Sequence, residues 1–221
     1  MEIKIESEFA SLNPGYRVIL MEADVEVSPV SDDLKREMAR LADDMASRLK
    51  VEDINKLPAI AATRRAYKAC GKDPNRYRPS QEQLMRRIVR GLGLYNVNSL
   101  VDAGNMLSLK SGCSVGCFDA DKVAGDVLTI GIGRDGEPYE GIGRGPLNVK
   151  GLPIVRDAVG GIGTPTSDNE RTKITPATRR LVMTIHLFDP ASDAQRIADE
   201  AKDLFIRHAK AVCRSEKLVG V

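Results

Sequence analysis

No stretch of the 221-residue sequence is apolar for the ~20 residues a bilayer crossing requires; unbroken runs such as Val18 to Met21 are far shorter. The N-terminal MEIKIESEF alternates charged and apolar side chains and lacks the apolar core of a secretory signal. A soluble, cytoplasmic protein with no membrane partner is expected. Four cysteines are too few for a disulfide scaffold and suit a reducing compartment, and 19 glycines without a repeat exclude a collagen-like chain. Net charge is also nearly absent, because 33 Lys and Arg face 31 Asp and Glu for a formal +2. Steering of the whole molecule toward a polyanion is thereby excluded, any nucleic-acid face must be local, and DNA is not an expected partner.

What is present suits one globular unit: 42% hydrophobic, 29% charged and 4% aromatic positions. A chain of this length buries roughly 70% of the surface its unfolded form exposes, so the core needs no metal or cross-link. Residues 16–27, YRVILMEADVEV, alternate in the two-residue period of a half-buried strand. Ser31 then offers an N-cap, Asp32 and Asp33 suit a first helical turn, and Leu34, Met38, Leu41, Met45 and Leu49 share one helix face. A second helix is expected from Pro58 to Gly71. The loop KDPNRYRPSQEQL follows, and a third helix from Ser80, with Gln83 completing a capping box, to about Gly91.

A short helix is expected over Asn98 to Leu109, broken by Gly104 and closed near Gly112. Val127 to Ile142, with Asp135-Gly136 between apolar stretches, reads as a hairpin. Leu152 to Arg156 and Leu181 to Phe188 read as strands, and GGIGTPTSDNERTKITPAT between them as a surface loop. A terminal helix is expected over Ala191 to Val212, with Ile197, Ala201, Leu204, His208 and Val212 on one face. Helices crowd the first half and strands the second, which predicts an α+β fold with a mixed, largely antiparallel sheet packed with helices.

Several groups of residues carry candidate chemistry. Arg64, Arg65, Lys68, Lys72, Arg76, Arg78, Arg86, Arg87 and Arg90 gather around Tyr67 and Tyr77, as either solvated helix faces or a phosphate-contacting surface. Cys113 and Cys117 form one close pair where structural zinc wants two, and His186 and His208 are not at ligand spacing, so neither metal nor cofactor is expected. No Walker loop, dinucleotide fingerprint or Ser-His-Asp arrangement is legible. The run Thr164 to Thr172 concentrates hydroxyls, carboxylates and a guanidinium. It reads either as local turn chemistry or as a binding loop in which Asp168 or Glu170 accepts an ammonium, Arg171 grips a carboxylate, and Thr166 and Ser167 fix orientation.

Residues 98–119, NSLVDAGNMLSLKSGCSVGCFD, resemble the tRNA-editing module, the third and fourth B domains, of the bacterial phenylalanyl-tRNA synthetase beta subunit. The family pattern runs Val-Asp, Thr-Asn, a Gly, and His-Ala-Phe-Asp, and lies over this stretch without a gap. Upstream, RRAYKACGKDPNRYRPSQEQLMRRI is similar to free-standing relatives, and the resemblance covers roughly Arg64 to Thr178. Asp102, Asn105, Phe118 and Asp119 keep the pattern, whereas Gly104 stands where the family has threonine and Gly116 where it has the pocket histidine. A looser overlay places Glu170 on the glutamate that the family uses to recognise a tyrosine hydroxyl.

The resemblance implies a single editing-like domain over 1–221: an N-terminal strand and helix extension (1–57), a family-matched core (58–178), and a terminal strand and helix (179–221). It implies hydrolysis of mischarged aminoacyl-tRNA by a water oriented in the pocket, helped by the substrate's own ribose hydroxyl. The implied pocket comprises Gly104, Asn105, Gly116, Cys117, Thr166, Ser167, Asp168, Glu170 and Arg171. Arg64, Arg65, Arg76, Arg78, Arg86 and Arg87 would face tRNA. Two other readings stand beside it, a non-catalytic module binding an amino-acid-like molecule or tRNA, and a Cys117-dependent small-molecule hydrolase.

Overall fold

The computed structural model describes residues 1–221. Its first half holds β1 (Glu2–Ile5), α1 (Ser7–Leu12), β2 (Arg17–Asp24), α2 (Asp32–Arg48), α3 (Pro58–Ala69), α4 (Ser80–Val89) and α5 (Ser99–Ser111). Then come β3 (Ser114–Asp119), β4 (Val127–Ile132), β5 (Glu140–Gly141), β6 (Gly145–Pro146), β7 (Pro153–Arg156), β8 (Gly161–Thr164) and β9 (Ser167–Asp168). The chain closes with β10 (Arg180–Leu187), α6 (Ala194–Ala209) and β11 (Val212–Gly220). The fold is α+β. No helix is long and apolar enough to cross a membrane.

The strands form two main sheets. One is antiparallel, in the order β11-β2-β10-β3; the other runs β1-β4-β7-β8-β9, with β1 and β4 parallel and the remaining pairs antiparallel. Alternation along β2 and β10 sends Ile19, Met21, Leu181, Met183 and Ile185 into a core with α2, α5 and α6. It sends Val18, Leu20 and Val182, with Phe118 of β3, toward Ile3, Leu128, Ile130, Val155 and Ile162 of the other sheet. Three layers result: helices, the four-stranded sheet, and the five-stranded sheet. Coverage of both faces explains why Val18 to Met21 are all buried.

Local signals set the helix ends. The Ser31 hydroxyl accepts from Leu34 N at 3.2 Å, Asn98 Oδ1 from Val101 N at 2.9 Å, and Asp193 Oδ1 from Arg196 N at 3.0 Å. Fully buried Glu82 ties α4 to α3, accepting from Arg64 Nη1 at 2.9 Å and from Arg86 Nε at 2.8 Å.

Five expectations are corrected. Gly104 does not break α5, which runs on to Ser111 and stops where Gly112 turns left-handed at φ 70°. Ser80 is not a capping-box residue: Pro79 holds the N-cap position, and the Gln83 amide reaches the Arg78 carbonyl at 2.7 Å instead. Residues 127–142 turn at Asp135-Gly136 but form no hairpin, because β1 and β7 take both edges of β4 while β5 pairs with β6 and, through a single bridge at Gly141, with Asn169. The first half of the segment expected to be a surface loop is packed as β8 and β9, where a Cβ on Gly163 would stand 2.6 Å from Phe118 Cζ, while from Glu170 on it is a short turn and loop with Pro176 and Ala177 exposed. The terminal helix ends at Ala209, Lys210 adopts φ 48°, and β11 returns as an edge strand beside β2, with Val212 exposed.

Candidate functional site

β3 is the last strand of its sheet, so its outer edge needs partners. The β8–β9 hairpin supplies them through side chains and turn carbonyls rather than a ladder. Cys117 N donates to Asp168 Oδ2 at 3.3 Å, and the Pro165 carbonyl accepts from the Ser114 hydroxyl at 3.4 Å as well as from Ser80 N of α4 at 2.7 Å. The Ser114 hydroxyl donates to Gln81 Oε1 at 2.6 Å. Two sheets and two helices thus meet around one short edge.

Beside this edge lies a 540 Å³ pocket. Val97, Val101, Val115, Ile142 and Ile174 give it apolar walls, and Asn98, Asn105, Cys117, Asp168, Lys173 and Thr175 are its polar lining. Buried Asp102 places Asn105, accepting from its Nδ2 at 3.3 Å while its other oxygen holds Val97 N at 2.9 Å. Gly104 lies against Cys117: a Cβ there would stand 3.2 Å from the sulfur.

Asp168 is the unusual group. Its Oδ1 accepts no hydrogen bond, and burial, only partly offset by the Cys117 N–H, pushes its carboxyl up to about 7. A half-buried acid that ionises near neutrality and borders a mostly apolar pocket is suited to holding an ammonium or a hydroxyl.

The structure brings Gly104, Asn105, Cys117 and Asp168 together and sets the other expected pocket residues apart. Gly116 points to the opposite face of β3, where a Cβ would meet Phe118 Cζ at 2.7 Å and Thr184 Oγ1 at 3.0 Å. The position that the resemblance aligns with the family's histidine therefore has no room for a side chain. Thr166 is buried, hydroxyl to hydroxyl with Tyr67 at 2.9 Å, and the Ser167 carbonyl accepts from Tyr139 at 2.6 Å. Glu170 pairs with Lys173 and accepts from Gly143 N at 3.1 Å, and its carboxyl is held below the usual range by that lysine. Arg171 forms a two-pronged pair with Asp157 at 2.9 and 2.8 Å, which leaves no free guanidinium to grip a carboxylate. The carboxylate at the pocket is thus Asp168, not Glu170.

Cys117 has no base. Burial and the nearby Asp168 carboxylate push its thiol well above the ordinary range. His186 lies on the far face of the sheet, bonded to Tyr16 Oη at 2.6 Å and held down to about 4 by burial. His208 pairs with Glu37 at 3.0 Å. This geometry disfavours the thiol hydrolase reading.

The basic cluster divides in the same way. Arg64 is committed to Glu82 and to the Pro74 carbonyl, Lys72 caps the Asn148 and Lys150 carbonyls at 2.7 Å, and Arg65 and Arg76 lie exposed elsewhere. Arg78, Arg86 and Arg87 line a second cavity of 350 Å³, joined there by Arg90, Tyr95 and Arg144. Arg144 escaped the sequence reading because it comes from a segment distant from the cluster, and Tyr95 because it lies past Gly91, where the helix ends. The lysine at the pocket, Lys173, was hidden by its turn-like neighbours.

A family model described as the B3/4 domain matches residues 62–218. Phenylalanine–tRNA ligase beta subunits of Bartonella quintana (strain Toulouse) and Bartonella henselae are 34% and 33% identical to this chain over 116 residues. Those matches take in 51% of this chain and 14% of each relative, so the chain spans a small part of the curated relatives it matches. A solved N-terminal fragment of the phenylalanyl-tRNA synthetase beta subunit from Pyrococcus horikoshii aligns with TM-score 0.49 at 10% identity, covering 99% of this chain and 54% of that one.

Two measurements check this geometry. Gly116→Ala should cost about 1–3 kcal/mol through overpacking against Phe118, read from urea unfolding; an unchanged midpoint would contradict the packing. Because folding raises the Asp168 pKa, the folded state holds the proton more tightly, and this group's contribution to stability falls as pH rises from about 4 to about 7. Asp168→Asn should therefore gain stability relative to the parent between pH 5 and pH 8. Parallel stability curves for the two proteins would sink the assignment.

Proposed function

Because this chain belongs to the B3/4 domain family, we propose that its pocket receives the aminoacyl end of a mischarged tRNA and hydrolyses the ester, a quality-control step in translation. The observation that carries the reading is the convergence of Asn105, Cys117 and Asp168 on one 540 Å³ pocket with apolar walls. Support for tRNA as partner comes from relatives named as phenylalanine–tRNA ligase beta subunits.

In this reading Asp168, which ionises near neutral pH, holds the α-ammonium of the amino acid. The Val and Ile walls accept an apolar side chain. One Asn105 amide hydrogen is engaged by Asp102, and the other is available to the ester carbonyl oxygen. Water adds to the carbonyl carbon, the C–O bond to the ribose breaks, and the proton lost by the water passes to the leaving ribose oxygen. The neighbouring ribose hydroxyl, part of the substrate, positions that water. No protein nucleophile is required, which agrees with an inert Cys117.

The binding-only alternative shares the same pocket and differs only in outcome. Incubation with a panel of mischarged tRNAs should release at least one amino acid well above the buffer rate. Asp168→Asn and Asn105→Ala should each slow release about tenfold or more, equivalent to ~1.4 kcal/mol of lost transition-state stabilisation. Amino-acid binding without release from any tRNA would shift the reading to a non-catalytic module. Absence of both binding and release would overturn it.

A further inference from the structure

β11 pairs with β2 on one side and has no strand on the other. Val221 N donates to the Tyr16 carbonyl at 3.0 Å, which fixes the phase of the ladder. Ser215, Lys217 and Val219 turn their backbone groups toward β2, and Glu216, Leu218 and Gly220 turn theirs outward. An exposed edge is ordinarily blunted by a bulge or by charge. Here the bulge between Cys213 and Ser215 blunts only the start of the strand, where Arg214 is tied to Asp24 at 2.7 Å. Beyond it, both charged side chains are already engaged within the protomer. Glu216 pairs with Lys202 of α6 at 2.6 Å, and Lys217 reaches the Met1 carbonyl at 2.7 Å. Leu218, next in the chain, is 53% exposed, and Ile206 of α6 and Val221 are exposed to about the same degree.

A strand of matching pattern would complete this edge, and β11 matches itself. In a two-fold antiparallel pairing centred on Leu218, that residue exchanges N–H and C=O with its own copy, and Glu216 does so with Gly220 of the second copy. Lys217 then lies opposite Val219 and Ser215 opposite Val221, so the ladder runs over residues 215–221 with no like charges face to face. A centre at Glu216 or Lys217 sets each against its own charge, and a centre at Val219 shortens the ladder to residues 217–221. We infer that two copies of this chain associate through the outer edges of their β11 strands, joining two four-stranded sheets into one. The contact is small, so the association is reversible and depends on concentration. β3 lies at the opposite edge of the sheet, and the pocket beside it stays open in the dimer.

Sedimentation velocity across a series of protein concentrations tests the inference. The mass should move from monomer to dimer, and Leu218→Lys, which sets two like charges at the centre of the ladder, should weaken association about tenfold or more. Val212→Lys changes another exposed apolar side chain, before the bulge, and should leave association unchanged. Both positions are exposed, and circular dichroism checks that each variant folds. Amide hydrogen exchange on the parent protein reads the register without any substitution. The Glu216, Leu218 and Gly220 amides should exchange about tenfold slower or more in the dimer, while those of Lys217 and Val219, bonded to β2 in both states, should change little.

A monomer at every concentration up to about 1 mM would overturn the inference. So would a dimer that Leu218→Lys leaves intact, or one in which the outward amides gain no protection, because either result places the contact on another surface.

Discussion

The outer edge of β3 is where the architecture and the chemistry become one problem. An uncovered strand edge presents unpaired N–H and C=O groups, and here a carboxylate from the neighbouring hairpin covers part of it. To reach Cys117 N, Asp168 must sit between two sheets, and that position both desolvates it and turns it toward the pocket. Its near-neutral pKa follows from the same placement. The glycines flanking the junction follow too: Gly116 and Gly163 leave room for the Phe118 ring, and Gly104 lets α5 approach Cys117.

Around that junction the charges are sorted by depth. Buried Glu82 neutralises part of the arginine cluster and fixes Arg64 and Arg86, so these side chains serve structure first. With Arg144 arriving from a remote turn, Arg78, Arg86, Arg87 and Arg90 line a cavity to which no carboxylate contributes, Glu82 lying behind Arg78 and Arg86. A net charge of only +2 is compatible with this local concentration because the acidic residues lie elsewhere, as in the i,i+3 and i,i+4 pairs of α2 and α6.

Helices with strong local signals were legible from sequence. Ser31, Asn98 and Asp193 cap as side-chain acceptors, and the apolar spacing of α2 and α6 marks their buried faces. What escaped reading depends on distant partners. β4 pairs with β1 from the chain's start rather than with its own sequel, and no local pattern encodes that choice. The terminal edge strand, exposed along most of its length, carries the composition of a charged tail. The loop from 160 to 178 looked polar because its hydroxyls satisfy backbone groups within a packed hairpin, as Thr164 does for Ser167 N at 3.1 Å. Within the site, Asn105 and Cys117 were legible through the family pattern. Choosing Asp168 over Glu170 required knowing which residue of β9 and its flanking turn faces β3.

The proposed function seats an amino acid joined to a nucleic-acid terminus in the pocket at Asp168, beside the arginine-lined cavity with which it shares Asn105. A crystal structure with a non-hydrolysable 3′-aminoacylamino-adenosine tests it most directly. The account predicts the ligand's ammonium within hydrogen-bond distance of Asp168, its acyl group beside Asn105, and its adenosine directed toward Arg87 and Tyr95. A ligand seated elsewhere, or with its ammonium turned away from Asp168, would contradict it.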